Sequence, residues 1–273
     1  IMILFLLLSY LVQLRIKMIH ETAIINTSAE LDSSVKVGPY TVIDANVKID
    51  SGTEIGPHVV IKKNVTIGKN NQLYQFSSIG EKPQDLKYKG EDSLLIIGDN
   101  NVIREYCTLN IGTAEGSNKT VIGSNNLLMS YTHIAHDCIL KDNCILSNAA
   151  SLAGHVQLGD NVSLGGFTLV HQFCSIGDYA FSGLGTVISR DVTPYTLVAG
   201  NHAQAYKINT TGLKRHGFKD ETVSALEKTF KLFVKSKSSR DDMLSKYKKL
   251  GFEFKETDYF VDFIFKSTRG VTR

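Results

Sequence analysis

The sequence contains no tryptophan, only four prolines and four cysteines, and no long block of charge of one sign. Because the cysteines form no CxxC pair, neither a disulfide scaffold nor a zinc site of that kind is indicated. Lysine and arginine (30) barely exceed aspartate and glutamate (27), so the charge does not indicate nucleic-acid binding. These absences leave a globular chain of 273 residues, long enough for one or two domains.

What the sequence has instead is an aliphatic residue at every sixth position. The repeat occupies three runs, 19–79, 97–109 and 122–188, with Ser182 as a polar exception. A period of six fits neither an α-helix nor a simple alternating strand. It fits a triangular coil of three hexads, and successive coils would lie about 4.8 Å apart. The pattern therefore predicts a parallel β-helix of about nine coils, roughly 40 Å long.

A second set of small residues lies two positions before the aliphatic ones and is also expected to point inward. Its members include Ala23, Ala29, Val35, Val47, Val59, Val65, Ala150, Val156 and Val162. All four cysteines occupy this position, so we expect buried free thiols and not catalytic ones. Glycine often follows the aliphatic residue, as at Gly38 and Gly56, and is expected to allow backbone angles that other residues avoid.

The repeat breaks twice and then ends. Residues 81–95 and 110–121 are expected to be loops, which could carry binding groups or form a plain charged surface. The β-helix is expected to cover 18–198, and 199–273 to form a small helical domain. We expect Asp220 to cap its main helix.

The helical region has a recognisable apolar face. Val223, Leu226, Phe230 and Phe233 share the spacing of one helix face. Two further helices are predicted at 240–250 and 258–265.

Residues 1–17 are strongly apolar but short of the roughly twenty residues that a membrane span needs. They also lack the flanking features of a signal peptide. We expect a translated upstream extension with Met18 as the natural start, and a membrane anchor is the alternative. The chain is otherwise expected to be cytoplasmic, without integral membrane association.

Four histidines fall outside the inward positions: His133, His136, His155 and His171. At eighteen residues per coil, His136 should stack against Gly154 and lie beside His155, with Gln172 one coil further on. Such an edge could provide a general base, because imidazole has a reference pKa of about 6.5. It could also bind zinc, as in trimeric β-helix enzymes resembling carbonic anhydrase. The neighbouring glycine and the two long loops favour the general base.

Seven short motifs carry a specific resemblance. They are 84–88 (QDLKY), 133–138 (HIAHDC), 152–156 (LAGHV), 170–173 (VHQF), 200–202 (GNH), 212–215 (GLKR) and 267–270 (STRG). From about Met18 to Arg273 the chain resembles the UDP-N-acetylglucosamine O-acyltransferases. The resemblance implies a left-handed β-helix and a homotrimer with active sites between subunits. It also implies transfer of a 3-hydroxyacyl group from acyl carrier protein to the sugar 3-hydroxyl, the first step of lipid A synthesis.

The resemblance also assigns the catalytic residues. His136 would be the general base, Asp137 would orient it, and the Gly154 N–H would hold the thioester oxyanion. No metal or other cofactor is implied, since the thioester is already activated.

Further residues are implied to contact substrate. His155, His171 and Gln172 would line the sugar-nucleotide pocket, with His133 positioning substrate. Asp85 and Lys87 would reach into a neighbouring subunit's cleft, and Asn209 and Arg215 would contact the nucleotide. Leu184 and His202 would form the acyl-length ruler.

The chain departs from the family pattern at three positions. Thr211 replaces a common Glu, and His216 replaces a common second Arg, so the nucleotide contacts there are altered. Leu184 stands where some members have Gly, and its bulk is expected to shorten the accepted acyl chain.

Three alternatives remain at this point. The N-acyltransferase of the same pathway is the nearest enzyme, but it carries a uridine-binding domain before its β-helix. A non-enzymatic scaffold is the reading from another class, and the histidine-lined exterior argues against it. The acceptor could also be a 3-amino variant of the sugar.

Overall fold

The computed structural model describes residues 18–273, which begin as a triangular prism of three parallel sheets. Strands that pair within a sheet belong to successive coils, so Ile24 pairs with Val42. The predicted β-helix followed by a helical region is thereby confirmed. The expectations for residues 1–17 lie outside the described residues.

The three sheets are called wall 1, wall 2 and wall 3 in the order in which the chain enters them. Wall 1 comprises Ile24–Ile25, Val42–Ile43, Val60–Ile61, Ser78–Glu81, Thr108–Asn110, His133–Ile134, Ser151–Leu152, Leu169–Val170 and Val187–Ile188. Wall 2 comprises Glu30–Leu31, Lys48–Ile49, Val65–Ile67, Leu94–Ile97, Lys119–Ile122, Ile139–Leu140, Gln157–Leu158 and Ser175–Ile176. Wall 3 comprises Lys36–Val37, Glu54–Ile55, Gln72–Leu73, Val102–Ile103, Leu127–Leu128, Ile145–Leu146, Ser163–Leu164, Phe181–Ser182, Thr196–Ala199 and Gln204–Ile208.

The core of the prism is the column of every-sixth residues. From Val37 to Ile188 these side chains are buried, while Ile19 in the first coil is 40% exposed. The polar exception Ser182 is also buried, and its hydroxyl pairs with that of Thr168 at 2.8 Å. All four cysteines are buried and free, and burial raises the pKa of Cys138 to about 12. Their predicted place in the core is confirmed.

The glycines that follow the aliphatic residues were expected to allow unusual backbone angles, but most of them have a different structural role. Apart from Gly80, which follows Ile79 and has φ of 82°, none of them has a positive φ; the left-handed residue of the turn lies two positions later and is usually not glycine, as at Tyr40. Gly38 is needed because a Cβ there would lie 2.7 Å from the Gly56 carbonyl carbon. Close stacking of coils therefore selects the glycines without a positive φ, and for these, including Gly38 and Gly56, the backbone-angle explanation was wrong.

The left-handed residues define three edges of the prism. The aromatic edge joins walls 3 and 1 and carries Tyr40, His58, Phe76, Tyr106 and Tyr131. The histidine edge joins walls 1 and 2 and carries Asp137, His155 and Phe173. The asparagine edge joins walls 2 and 3 and carries Asn70, Asn100, Asn125, Asn143 and Asn161.

Both predicted loops leave the prism at the histidine edge. The first loop spans 82–93 and the second 111–118, each shorter than expected because the flanking strands extend into the predicted segments. The two loops touch one another: Glu91 accepts a hydrogen bond from the Ala114 N–H at 3.1 Å, and Lys87 pairs with Glu115. They form one layer over this edge.

The helical region begins later than predicted, because Thr196–Ala199 and Gln204–Ile208 first form an antiparallel hairpin on wall 3. The helices are α1 (Thr210–Arg215), α2 (Asp220–Phe230), α3 (Arg240–Leu250) and α4 (Lys255–Lys266), with a π-helical turn at Lys231–Lys235. None of the helices in residues 18–273 combines the length and apolarity needed to cross a membrane.

One detail of the helix prediction was wrong. Asp220 is the first residue of α2 and not its cap, since the cap position is Lys219 and no side chain fills it. The carboxylate of Asp220 pairs instead with Lys214 at 2.8 Å. The predicted apolar face is correct, and its four residues are buried.

Candidate active site

The histidine edge places aromatic and acidic side chains one above the other. Asp137, His155 and Phe173 occupy the same turn position in three successive coils, each with φ near +60°. The His155 ring stacks on Phe173 with 4.4 Å between centroids. It meets the His136 ring edge-on at 5.1 Å. The regular coil thus converts a spacing of eighteen residues into direct side-chain contact.

His136 and Asp137 form a hydrogen-bonded dyad. The Nδ1 atom of His136 lies 2.9 Å from Asp137 Oδ2, and the Asp137 side chain is almost fully buried. Burial alone would raise the pKa of Asp137, but the hydrogen bonds from the Thr113 hydroxyl and from His136 outweigh it and hold that pKa below its usual value. Asp137 is therefore a carboxylate at neutral pH.

Gly154 lies directly against the imidazole of His136. A Cβ at this glycine would be 2.6 Å from His136 Cε1, so any other residue would displace the ring. Within residues 18–273 no group accepts a hydrogen bond from the Gly154 N–H. The dyad consequently has a free backbone donor beside it.

His133 and the edge residues further along differ in exposure. His133 is half-buried on wall 1, with Nδ1 at 2.7 Å from the Thr108 hydroxyl, and burial together with the nearby His136 lowers its pKa. His171 and Gln172 are exposed one coil beyond Gly154. The guanidinium of Arg269, in the C-terminal segment, lies 2.8 Å from His171 Nδ1.

The first loop brings Asp85 to the dyad of its own chain. Asp85 Oδ2 lies 3.9 Å from His136 Nε2, the imidazole nitrogen that Asp137 does not contact. Lys87 pairs with Glu115 at 3.1 Å. The loop folds back onto the second loop of the same chain, and the expectation that both residues reach a neighbouring subunit's cleft stays a prediction.

The predicted nucleotide residues lie elsewhere on the prism. Asn209 and Arg215 line a cavity of about 440 Å³ on wall 3, which Thr211 and His216 also line. Asn209 has a structural role there, since its side chain accepts from the Gly212 N–H and caps α1. Within one chain, the cavity and the dyad are separated by the width of wall 2.

The predicted ruler residues lie near the last coils. Leu184 is 77% exposed in a turn that joins walls 3 and 1. His202 is exposed in the hairpin turn, whose residue Asn201 pairs with Val187 of wall 1. Neither touches the dyad.

His136, Asp137 and His155 also form a group that could hold a metal ion, with one donor atom of each within 4.8 Å of the others. The oxygens of Asp137 already accept hydrogen bonds from Thr113 and Ser117 as well as His136. A metal ligand needs free lone pairs, so this arrangement favours a hydrogen-bonded dyad.

Some contacts of the site were missed from the sequence. Phe173 was detectable, since it follows His155 by one coil. Thr113 and Ser117 were not, because they lie in a loop where the repeat gives no register.

Comparison with known proteins supports the resemblance. The family model for domain 2 of UDP-N-acetylglucosamine O-acyltransferase matches residues 191–272, and the bacterial transferase hexapeptide model matches 28–63 and 119–154. An acyl-[acyl-carrier-protein]–UDP-N-acetylglucosamine O-acyltransferase of Alkalilimnicola ehrlichii is 49% identical over 92% of this chain and 97% of its own length.

Solved structures agree with this match. LpxA from Acinetobacter baumannii has a TM-score of 0.91 at 43% identity, covering 94% of this chain and 100% of that one. The UDP-N-acetylglucosamine O-acyltransferase (LpxA) from Moraxella catarrhalis has the same TM-score and coverage at 42% identity. The chain therefore belongs to the UDP-N-acetylglucosamine O-acyltransferase family and is an acyltransferase of lipid A biosynthesis.

Proposed function

We propose that this chain transfers an (R)-3-hydroxyacyl group from acyl carrier protein to the 3-hydroxyl of UDP-N-acetylglucosamine, with His136 as general base. The observation that carries the mechanism is the His136–Asp137 dyad beside the free N–H of Gly154. A general base, a group that orients it and an oxyanion donor are what acyl transfer to a hydroxyl requires.

The dyad assigns each nitrogen of His136 a task. Because Nδ1–H donates to the Asp137 carboxylate, the neutral ring keeps its lone pair on Nε2. Nε2 takes the proton of the sugar hydroxyl as the oxygen attacks the thioester carbonyl. The imidazolium, stabilised by Asp137, then gives this proton to the departing thiolate. The reaction needs no other proton donor.

Gly154 stabilises the tetrahedral intermediate. Its N–H donates to the carbonyl oxygen as negative charge develops there, and such a donor contributes about 3 kcal/mol. The absence of a Cβ is what allows the donor and the base to serve one reacting carbon.

Substrate contacts are divided between two subunits in this proposal. The dyad is on the histidine edge, whereas Asn209 and Arg215 line a cavity on wall 3. One substrate can touch both only if another copy of the chain supplies the second set. We place His155, His171, Gln172, His133, Asp85 and Lys87 at the sugar and phosphates, and Asn209 and Arg215 of the adjoining copy at the nucleotide.

The exposed apolar surface supports a homotrimer. Large apolar side chains are exposed along the aromatic edge and its continuation: Tyr40, Phe76, Tyr106, Tyr131, Phe167 and Leu184. Apolar surface of this extent indicates an interface between protein molecules. If the aromatic edges of three prisms meet at the centre, walls 1 and 3 of neighbouring copies face one another.

We propose that the acyl chain lies along wall 1. Ser151, Leu169 and Val187 follow one another on this wall in successive coils, along the axis of the prism. Leu169 is 49% exposed. This column runs from beside Gly154 towards Leu184 and His202, which would limit chain length.

The first experiment is a product assay by mass spectrometry on His136→Ala, with UDP-N-acetylglucosamine and acyl carrier protein thioesters. The rate should fall roughly 10²- to 10⁴-fold while the oligomer and fold are kept. Retention of wild-type rate by His136→Ala would overturn its role as base. The native chain is also assayed with the 3-amino analogue of the sugar nucleotide. Product from that analogue and none from UDP-N-acetylglucosamine would overturn the assigned acceptor.

A second experiment tests the division between subunits. Mixed oligomers of His136→Ala and Arg215→Ala chains should recover up to about a quarter of wild-type activity, since that share of sites has both native residues. No recovery above either variant alone would show that one chain supplies both residues.

A further inference from the structure

The second loop is built around the carboxylate of Asp137. The Thr113 hydroxyl donates to Asp137 Oδ2 at 2.7 Å. The backbone N–H groups of Thr113 and Ser117 each donate to the same carboxylate at 3.1 Å. Three donors from one short loop thus hold the group that contacts Nδ1 of His136.

Gly116 gives independent support for this arrangement. A Cβ at Gly116 would lie 2.3 Å from Asp137 Cγ and Oδ1, although residue 116 itself is exposed. The space that a side chain would need is therefore occupied by the carboxylate. The backbone passes so close to Asp137 at position 116 that only glycine fits there.

We infer that the second loop is a positioning element for the general base, in which Thr113 and Gly116 hold Asp137 and, through it, orient His136. Neither residue touches the reacting atoms in this account. Thr113 fixes the rotation of the carboxylate, so Oδ2 faces Nδ1 of His136 and Nε2 faces the substrate side. The inference rests on the proposed role of His136.

The loop also connects the two sides of the imidazole. Asp85 of the first loop lies near Nε2, and the second loop acts on Nδ1 through Asp137. The Ser93 hydroxyl donates to the Gly112 carbonyl, and Glu91 accepts from the Ala114 N–H. The two loops thus contact each other and both sides of the imidazole.

The test is steady-state kinetics on Thr113→Val, which removes the hydroxyl and keeps the backbone N–H and the branched shape. We expect kcat to fall roughly tenfold or more, as for other partners that orient an active group, with KM for the sugar nucleotide nearly unchanged. Thr113→Ser restores the hydroxyl and should restore most of kcat. Thr53→Val is the matched control, because it removes another buried hydroxyl that donates to a backbone carbonyl, at 2.8 Å from Gly68 O, several coils away.

Gly116→Ala provides a second variant on an exposed loop, where loss of folding is not expected. It should lower kcat at least as much as Thr113→Val, because the added Cβ displaces the carboxylate. In an Asp137→Asn background, Thr113→Val should cost little further activity, since Thr113 acts through Asp137.

The outcomes separate this inference from the proposed function. If His136→Ala is inactive but Thr113→Val and Gly116→Ala keep wild-type kcat, the loop has no positioning role and the base assignment stands. Full additivity of Thr113→Val with Asp137→Asn, or failure of Thr113→Ser to recover activity, would also overturn the inference. If His136→Ala keeps its rate, the proposed function itself fails.

Discussion

The histidine edge and the asparagine edge have the same backbone and different uses. At both, one residue per coil adopts a left-handed conformation, for example Asp137 and Asn143, each with φ of 60°. On the asparagine edge the adjoining inward residues Asn71, Asn101 and Asn126 form a buried ladder of amide hydrogen bonds. On the histidine edge the turn residues point away from the prism core, and the second loop covers Asp137. The coil supplies the same scaffold at both edges. The side chains at and beside the turn decide whether an edge stabilises the fold or carries a candidate active site.

The largest effect on catalysis is expected from replacing Asp137 by the residue typical of the asparagine edge. Asn is well tolerated at this turn position on the asparagine edge, yet Asp137→Asn should lower kcat roughly 10²- to 10⁴-fold. The amide group would also face the N–H donors of Thr113 and Ser117, so the free energy of unfolding should fall by about 1–3 kcal/mol. Kinetics and urea unfolding check both effects. A variant with wild-type kcat would show that the dyad is not required.

The reciprocal substitution is made in the buried ladder of amide hydrogen bonds on the asparagine edge. Asn101→Val introduces the residue that other coils carry at this inward position, but it removes the amide group that donates to the Asn71 side chain and to the Gly123 carbonyl. It also leaves the buried Asn126 N–H without its acceptor. The free energy of unfolding should fall by about 1–3 kcal/mol. Because Asn101 is remote from the dyad, kcat of the folded enzyme should stay within twofold or so. A large loss of kcat at unchanged stability would contradict the separation of the two edges.

The aromatic edge, which joins walls 3 and 1, is tested through the preference for acyl-chain length. Leu184→Gly removes an exposed side chain from the turn between walls 3 and 1. Longer acyl donors should gain roughly tenfold in kcat/KM relative to the native donor, because one or two methylenes are worth about 1–3 kcal/mol in an apolar site. Competition assays with donors of several lengths measure this ratio. An unchanged preference would show that Leu184 does not limit the chain.

The smallest effect concerns pH. Burial lowers the pKa of His133, so the folded state binds this proton less readily than the unfolded state. His133 thus favours folding above its unfolded pKa of about 6.5, and this contribution is lost as pH falls through the folded value. Thermal unfolding of His133→Gln should show a weaker decline below about pH 6.5 than the native chain. Equal slopes would contradict the burial of His133.

Much of the fold followed from spacing. The six-residue period placed the cysteines in the core and put Gly154 against His136, because a coil with fixed rise and turn maps sequence distance directly onto position. Where the period stops, prediction was weaker: the hairpin at 196–208 was missed, and Asp220 was wrongly given the capping position. The loop contacts to Asp137 depend on the path of a segment without a repeat, so no spacing rule could find them.

The sequence by itself determined the coil, its inward residues and the stacking of imidazoles along one edge, since each depends on a local period repeated many times. Only the tertiary structure decided that both loops cover that edge, that Thr113 and Gly116 close on Asp137, and that the Arg215 cavity lies on another wall. These features depend on long-range packing between segments of different coils. A repeat fixes the position of what repeats, and the interruptions are placed by the contacts they make.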